Sequence, residues 1–495
     1  MRDPRGLEGA EGAAYVVGWY RRGRNLIIGD IADEVARRVE RAGSAVSGAF
    51  LEPTIRLGVT GLSRAGKTVF ITSLVANLMN RARMGQLRAA AQGAIRAAYL
   101  QPQPDDTLPR FDYETHLAAL TGPAPHWPDS TRAISELRLS LKVQPTGLVA
   151  GLRGPRTLHL DIVDYPGEWL LDLGLIEKDF AQWSRETLER LENRPQAEAF
   201  RAALSGADPA AKLDEPQAQA LSAAFTGYLR AAREDGYSDC TPGRFLLPGD
   251  LAGSPVLTFA PLPPGEHGRG SLGREFARRY EAYKREVVKP FFRDHFARLD
   301  RQVVLVDALG AIHAGPQAVE DMRRAMGDIL GAFRPGQNNF LSQIFLGRRI
   351  ERILFAATKA DHLHHSQHAK LTAIMEALLS DAKRRADYAG ATTAALSIAG
   401  LRATTEDTVT HDGRALDVVR GVLLEDGRRA AFHPGHLPED PAHLLTPARQ
   451  GAPAWLDEDY AIMRFAPQPL SLKPGEGPPH IRLDRAAEFL IGDRL

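Results

Sequence analysis

Apolar positions recur along this chain with two periods, and the switches between them divide it into elements. From Asp30, residues Ile31, Val35, Val39, Ala42 and Val46 keep a three-to-four spacing. That spacing predicts a packed helix with Asp30 as its N-cap, within an N-terminal extension over residues 1–53. The run "TIRLGVT", Thr54 to Thr60, reads as a first strand, and the nearly all-apolar "TVFITSLVANLMN" after it as a helix. Residues 84–128 read as a helical, partly loop-like insertion. Leu137, Leu139, Leu141 and Val143 alternate strictly, and "TLHLDIVD" follows a Gly-rich turn, which predicts two neighbouring strands. Further strands are expected at 302–306 ("QVVLV"), 352–357 ("RILFAA") and about 392–399 ("TTAALSIA").

Residues 168–300 are mainly helical in pattern, with Phe276, Tyr280, Tyr283 and Val287 on one face and Pro290 expected to bend or end their helix. Beyond residue 405 the period returns to two. Asp412-Gly413 and Asp426-Gly427 mark hairpin turns, and "RLDRAAEFLIGDRL" closes the chain as an amphipathic helix. The expected fold is α/β: a mostly parallel sheet flanked by helices, built from residues 54–167 and 301–404. The large helical insertion at 168–300 and a small β-rich extension at 405–495 complete it.

Composition changes this picture little. With 62 basic and 61 acidic side chains among 495 residues the net charge is +1, which argues against a nucleic-acid partner held by bulk charge. The single cysteine, Cys240, excludes an internal disulfide, and "YSDCTPG" carries no catalytic-thiol motif. The N-terminus lacks a signal-peptide layout and no run of 18 apolar residues occurs, so a cytoplasmic location is expected. The basic stretch "ARRVERA" leaves peripheral membrane contact open, but Asp33, Glu34 and Glu40 weaken its cationic face and favour a plain packing helix.

The chemistry concentrates in three short segments. "GLSRAGKT", residues 61–68, has P-loop spacing between a strand and a helix. Its glycines let backbone N–H groups face phosphates at a helix N-terminus. The expected phosphate-binding set is Gly61, Ser63, Arg64, Ala65, Gly66, Lys67, Thr68 and Val69, with Lys67 on the β- and γ-phosphates and the Thr68 hydroxyl on Mg2+. Arg64 lies mid-loop, either reaching along the phosphates as an arginine supplied in cis or simply solvated. In "HLDIVDYPGEW", Asp164 ends a strand and can hold Mg2+ through water, while the Gly167 N–H can sense the γ-phosphate. Asp161 lies within the strand and reads as structural. Asp307–Gly310 ("DALG") has the same Asp-x-x-Gly spacing and is a rival, set second because "DYPG" follows the two-strand unit.

The third segment is "AATKAD", residues 356–361. The Asp361 carboxylate can accept from N1–H and the exocyclic amine of guanine, and adenine offers no such pair of donors. The Lys359 stem can lie along the base, and Thr358 can bond back toward the P-loop. Ser397 and Ala399, after the last core strand, are the candidates for a final base contact. His362, His364, His365 and His368 follow at once, with His364 and His368 at the i, i+4 spacing of a zinc pair on a helix. No carboxylate or cysteine pattern adjoins them, so a solvated or packing helix is the favoured reading.

In this order the segments resemble a Ras-like GTPase core with large insertions. More closely, "GLSRAGKTVFITSL", "WPDSTRAISELRL", "DYPGEWLLDL", "LPGDLAGSPVLTF", "VVLVDALGAIHAG", "TKADHLHHSQH" and "PHIRLDRAAEFLIGD" resemble the YcjX-like family of bacterial P-loop proteins, usually described as stress-associated. The resemblance spans residue 54 to the C-terminus and implies a cytoplasmic nucleotide-binding protein with GTP and GDP as ligands. It makes "WPDSTR" the first switch, with Thr131, or Ser130 in its place, ligating Mg2+ only in the triphosphate state; a turn or capping role for either stays open. Many small GTPases place glutamine after Asp-x-x-Gly, whereas this chain has Glu168. A carboxylate orients water but repels the γ-phosphate unless neutralised, so slow turnover is expected, with acceleration from Arg64, Arg132 or an unidentified protein activator or effector. An ATPase, a P-loop kinase and a non-hydrolysing nucleotide-binding scaffold are the alternatives.

Overall fold

The structure, a computed structural model, describes residues 52–61, 65–129, 133–144, 155–192, 194–331, 350–388, 391–455 and 460–495. The expected N-terminal helix therefore lies outside the described residues, as do Ser63, Arg64, Ser130, Thr131 and Arg132. The chain divides into two units, Met1–Thr54 and Ile55–Leu495, and the fold below is that of the second.

Among the described residues, seven strands share one sheet: β1 (Thr54–Gly61), β2 (Ile95–Gln101), β3 (Ser135–Val143), β4 (Arg156–Asp164), β5 (Arg301–Val306), β6 (Arg352–Ala357) and β7 (Thr392–Ser397). Their order is β2-β3-β4-β1-β5-β6-β7. β1, β5, β6 and β7 run parallel, and β2, β3 and β4 pair antiparallel. The central strands alternate between two apolar layers: Val303 and Leu305 enter one, Val304 and Val306 the other. Burial on both faces is why these strands read as unbroken apolar runs.

β2 corrects the expectation of a helical insertion. "IRAAYLQ" favours helix by its alanines, but it pairs along β3 from Ile95 opposite Val143 to Gln101 opposite Arg138, with an irregularity near Ala97. Edge pairing supplies hydrogen bonds that outweigh the small intrinsic preference.

On one face lie α1 (Lys67–Met79) and, far later in the chain, α8 (Leu483–Ile491). The other face carries α2 (Gly167–Leu171), α3 (Glu215–Glu234), α4 (Leu272–Tyr283), α5 (Ala308–Ala314), α6 (Pro316–Gly331) and α7 (His368–Tyr388). Aromatic rings knit this helical layer: Trp183 stacks on Tyr280 at 5.0 Å and meets Phe259 edge-on at 5.5 Å. Such pairs add about 0.5–1.5 kcal/mol each beyond the area they bury. Pro290 does not end its helix. A π-helical turn at Lys284–Val288 precedes it and helix resumes at Lys289–Asp294, so the hydrogen bond proline cannot donate is absorbed by a local change of pitch.

The C-terminal region forms a separate antiparallel sheet, β10-β9-β11 with β8 also on β9, from β8 (Thr405–His411), β9 (Arg414–Leu423), β10 (Arg429–Phe432) and β11 (Phe465–Ala466). The β8–β9 turn has Asp412 at φ 51° and Gly413 at φ 76°, the positive angles a tight hairpin requires. No helix among the described residues is long and apolar enough to cross a membrane.

Candidate functional site

β1 reverses the sheet order, with β4 on one side and β5 on the other. In open α/β sheets such a switch point, outside the carboxyl ends of the strands, is where ligands bind. β1 delivers Gly61 there, and Gly66, at φ 77°, turns the chain into α1. Its N-cap, Gly66, has no side chain to cap it with, and no acidic residue occupies its first turn. Its first N–H groups and the positive end of its dipole therefore face outward, an arrangement suited to an anion. α1 itself is buried on nearly every side, with Thr68 only 6 % exposed, so its register is held by packing all round.

Gly167 lies against this loop. A Cβ there would sit 1.7 Å from the Gly61 carbonyl oxygen, a distance no side chain can take. Asp164 is buried at the end of β4, opposite Ser135. Thr68 and Asp164 thus offer a hydroxyl and a carboxylate, hard oxygen donors that fit Mg2+. Asp161 forms a two-point ion pair with Arg138 at 2.6 and 2.8 Å across β3 and β4, which agrees with a structural role.

Glu168 turns the other way. Its carboxylate is buried and pairs at 2.9 Å with Arg233 of α3 in the helical layer. Asp172 is fastened in the same layer, accepting from the Gly243 N–H at 2.8 Å and the Tyr283 hydroxyl at 2.5 Å. Burial pushes its carboxyl up to about 7 in spite of those bonds.

At the other end of the site, the Thr358 N–H donates to the Val306 carbonyl at 2.9 Å and fixes the turn after β6. Lys359 adopts φ 61°, left-handed for a residue with a side chain and costing about 1–3 kcal/mol. Its ammonium pairs with the Asp307 carboxylate. Asp307 also caps α5, accepting from the Gly310 N–H at 3.0 Å, so the rival Asp-x-x-Gly is occupied as cap and as lysine partner. Asp361 is buried, and its Oδ2 accepts from the Ala403 N–H at 2.9 Å.

A cavity of about 390 Å³ joins the two ends. Ala65, Gly66, Lys67, Thr68 and Val69 line it with Thr358, Lys359, Asp361 and Ala399. Gly400 packs on α1, its hypothetical Cβ 3.2 Å from the Phe70 Cα. Ser397 stands apart: fully buried, it accepts from Arg482 Nη1 at 3.0 Å and donates to the His368 carbonyl at 3.0 Å. Ile398 to Leu401, not Ser397, face the cavity.

Trp127, Pro128 and Asp129, from the segment expected to be the first switch, also line the cavity. The rest of its wall, Phe465 of β11 with Leu424 and Arg464 beside β9 and β11, was not expected from the sequence. Trp127 Nε1 donates to the Phe465 carbonyl at 2.7 Å, tying these two segments together. His362 meets Phe465 edge-on at 5.3 Å; its buried Nδ1 has no partner among the described residues, and burial lowers its basicity. A two-residue strand in a Pro-rich stretch carries no periodicity, so only the pairing of Phe465 with Leu423 reveals this wall.

His364 and His368 do not share a helix face, because α7 begins only at His368. The buried His368 Nε2 is 2.8 Å from the Ala360 carbonyl.

The YcjX-like family model matches residues 55–495. The protein named "Ras-like GTPase YcjX" from Escherichia coli (strain K12) is 40% identical over 461 residues, covering 89% of this chain and 96% of that protein. The protein of the same name from Shewanella oneidensis is 35% identical over 468 residues, covering 89% and 94%. The chain belongs to the YcjX-like family.

Proposed function

From this membership we propose that the chain is a Mg2+-dependent GTP-binding protein with slow GTP hydrolysis, acting as a regulatory, stress-related switch. The observation that carries the reading is one cavity with the Gly66–Val69 helix start at one end and Thr358, Lys359 and Asp361 at the other. The name of the relatives, Ras-like GTPase, supports it.

In this reading the first N–H groups of α1 and Lys67 bind the phosphates, and Asp361 accepts from the guanine edge. Thr68 and Asp164 would hold Mg2+, whose charge would offset that of the phosphate oxygens. The Gly167 N–H reports on the γ-phosphate, and Thr131 contributes from the first switch. The engagement of Glu168 with Arg233 supports a low rate, since the carboxylate is held away from the water it would orient.

Single-turnover hydrolysis of GTP and ATP with Mg2+, alongside binding constants, tests this in wild type and Asp361→Asn. GTP preference that collapses in the variant, with phosphate release, is the expected result. Equal affinities unchanged by the substitution would move the protein to an ATPase or kinase. Tight GTP binding without turnover would leave a scaffold.

A further inference from the structure

The turn after Asp361 and two strands of the small sheet bring imidazoles and carboxylates together outside the nucleotide cavity. His364, His365 and Glu406 each present one ligand atom, all within 4.8 Å of one another. His365 Nδ1 is 2.5 Å from Glu406 Oε2, and His364 Nε2 is 3.7 Å from the same oxygen. Glu406 is held in place from its other side, where Oε1 accepts from Arg402 at 2.9 Å, leaving Oε2 toward the histidines. Burial alone would raise the Glu406 carboxyl, but the His365 hydrogen bond and the Arg402 charge keep it below the ordinary carboxylate range.

The second nitrogen of His364 decides the reading. Its Nδ1 is 3.2 Å from Asp417 Oδ2 on β9 and 2.9 Å from Ser366 Oγ. The Ser366 hydroxyl donates to the same Asp417 oxygen at 3.2 Å, while the Ser366 N–H approaches Nδ1 only at 3.4 Å. A carboxylate beside Nδ1 favours the proton on that nitrogen, which leaves the Nε2 lone pair directed to the side where Glu406 lies. Metal-binding histidines are oriented by just such an outer carboxylate.

We propose that His364 Nε2, His365 Nδ1 and Glu406 Oε2 bind a divalent transition-metal ion of the Zn2+ type, with Asp417 as the residue positioning His364. Two imidazoles and one carboxylate suit Zn2+ and its first-row neighbours over Mg2+ or Ca2+, which take all-oxygen sets. A fourth position stays open to water. The ion would join the turn three and four residues beyond Asp361 to β8, whose approach already holds that aspartate through the Ala403 N–H. It is a clamp on the base end of the cavity, independent of the P-loop metal.

The test uses the full chain without a histidine tag, free of nucleotide and with Mg2+ in excess, so it does not depend on the GTP reading. Zn2+ is titrated by calorimetry and by competition with a chromophoric chelator. One Zn2+ per chain at micromolar or tighter affinity is expected, weakened at least about tenfold in His364→Ala and Glu406→Gln and by about 10–100-fold in Asp417→Asn. Thr68→Ala should bind Zn2+ as wild type does. Zn2+ should raise the melting temperature of wild type and leave that of folded Glu406→Gln unmoved. Absence of stoichiometric binding overturns the proposal, as does binding that survives both His364→Ala and Glu406→Gln unchanged.

Discussion

Residues 164–167 and 307–310 share Asp-x-x-Gly spacing, and both follow strands that flank β1. In the first, the glycine is pressed against the Gly61 backbone, and the next residues are fastened to the helical layer by Glu168–Arg233 and Asp172–Tyr283. In the second, the glycine N–H closes back on its own aspartate, and the nearest atoms to its hypothetical Cβ belong to that side chain, at 2.8 Å. The spacing makes a turn in both places. What the glycine touches separates a segment that couples P-loop to helices from one that caps a helix and holds a lysine.

The largest test is steric. Gly167→Ala must displace backbone and should lower stability in urea by about 3 kcal/mol or more. Gly310→Ala moves only the Asp307 side chain and gains helix propensity, so its loss should stay under about 1 kcal/mol. Equal losses would erase the contrast.

Next comes chemistry. Asp164→Asn should slow single-turnover GTP hydrolysis about 100-fold, in the range lost with one charge-stabilising group. Asparagine still caps a helix, so Asp307→Asn should keep α5 and cost less than about tenfold, mainly in nucleotide affinity through Lys359. If the second substitution slows the reaction as much as the first, the assignment of roles is reversed.

A smaller effect separates the segments through the helical layer. Arg233→Met removes the counter-charge of the buried Glu168 and should cost about 1–3 kcal/mol, read from the denaturation midpoint. No change would mean that the pair does not couple the layers.

The smallest effect is one of pH. Asp172 has its carboxyl raised by burial to about 7, against roughly 3.9 in an unfolded chain. Between those values the folded state binds more protons than the unfolded one, so stability falls as pH rises through this window and levels above it. Asp172→Asn should flatten that part of the melting-temperature profile; an unchanged slope would place the titration elsewhere.

Much of the site was legible because its residues lie next to one another in sequence. β1, Gly66, Lys67 and Thr68 form one continuous pattern, as do β6 and the turn to Asp361. β2 was misjudged because its identity comes from pairing with β3, not from its own alanines. Ser397 has the right address but the wrong direction, its hydroxyl being taken by Arg482 and the His368 carbonyl. Arg464 and Phe465 reach the cavity only through the folding of the small sheet, and nothing local in the sequence announces that.

One contact carries a consequence in time. The Asn77 amide at the buried end of α1 donates to the Pro478 carbonyl at 3.0 Å, 401 positions later. A ribosome adding about 5–20 residues per second needs roughly 20–80 s to travel between them. Throughout that interval one flank of the helix that opens the phosphate site is without its eventual cover. A nascent chain thus carries α1 long before the C-terminal segment that covers its far end exists, and that apolar flank is open to chaperones or to other chains meanwhile.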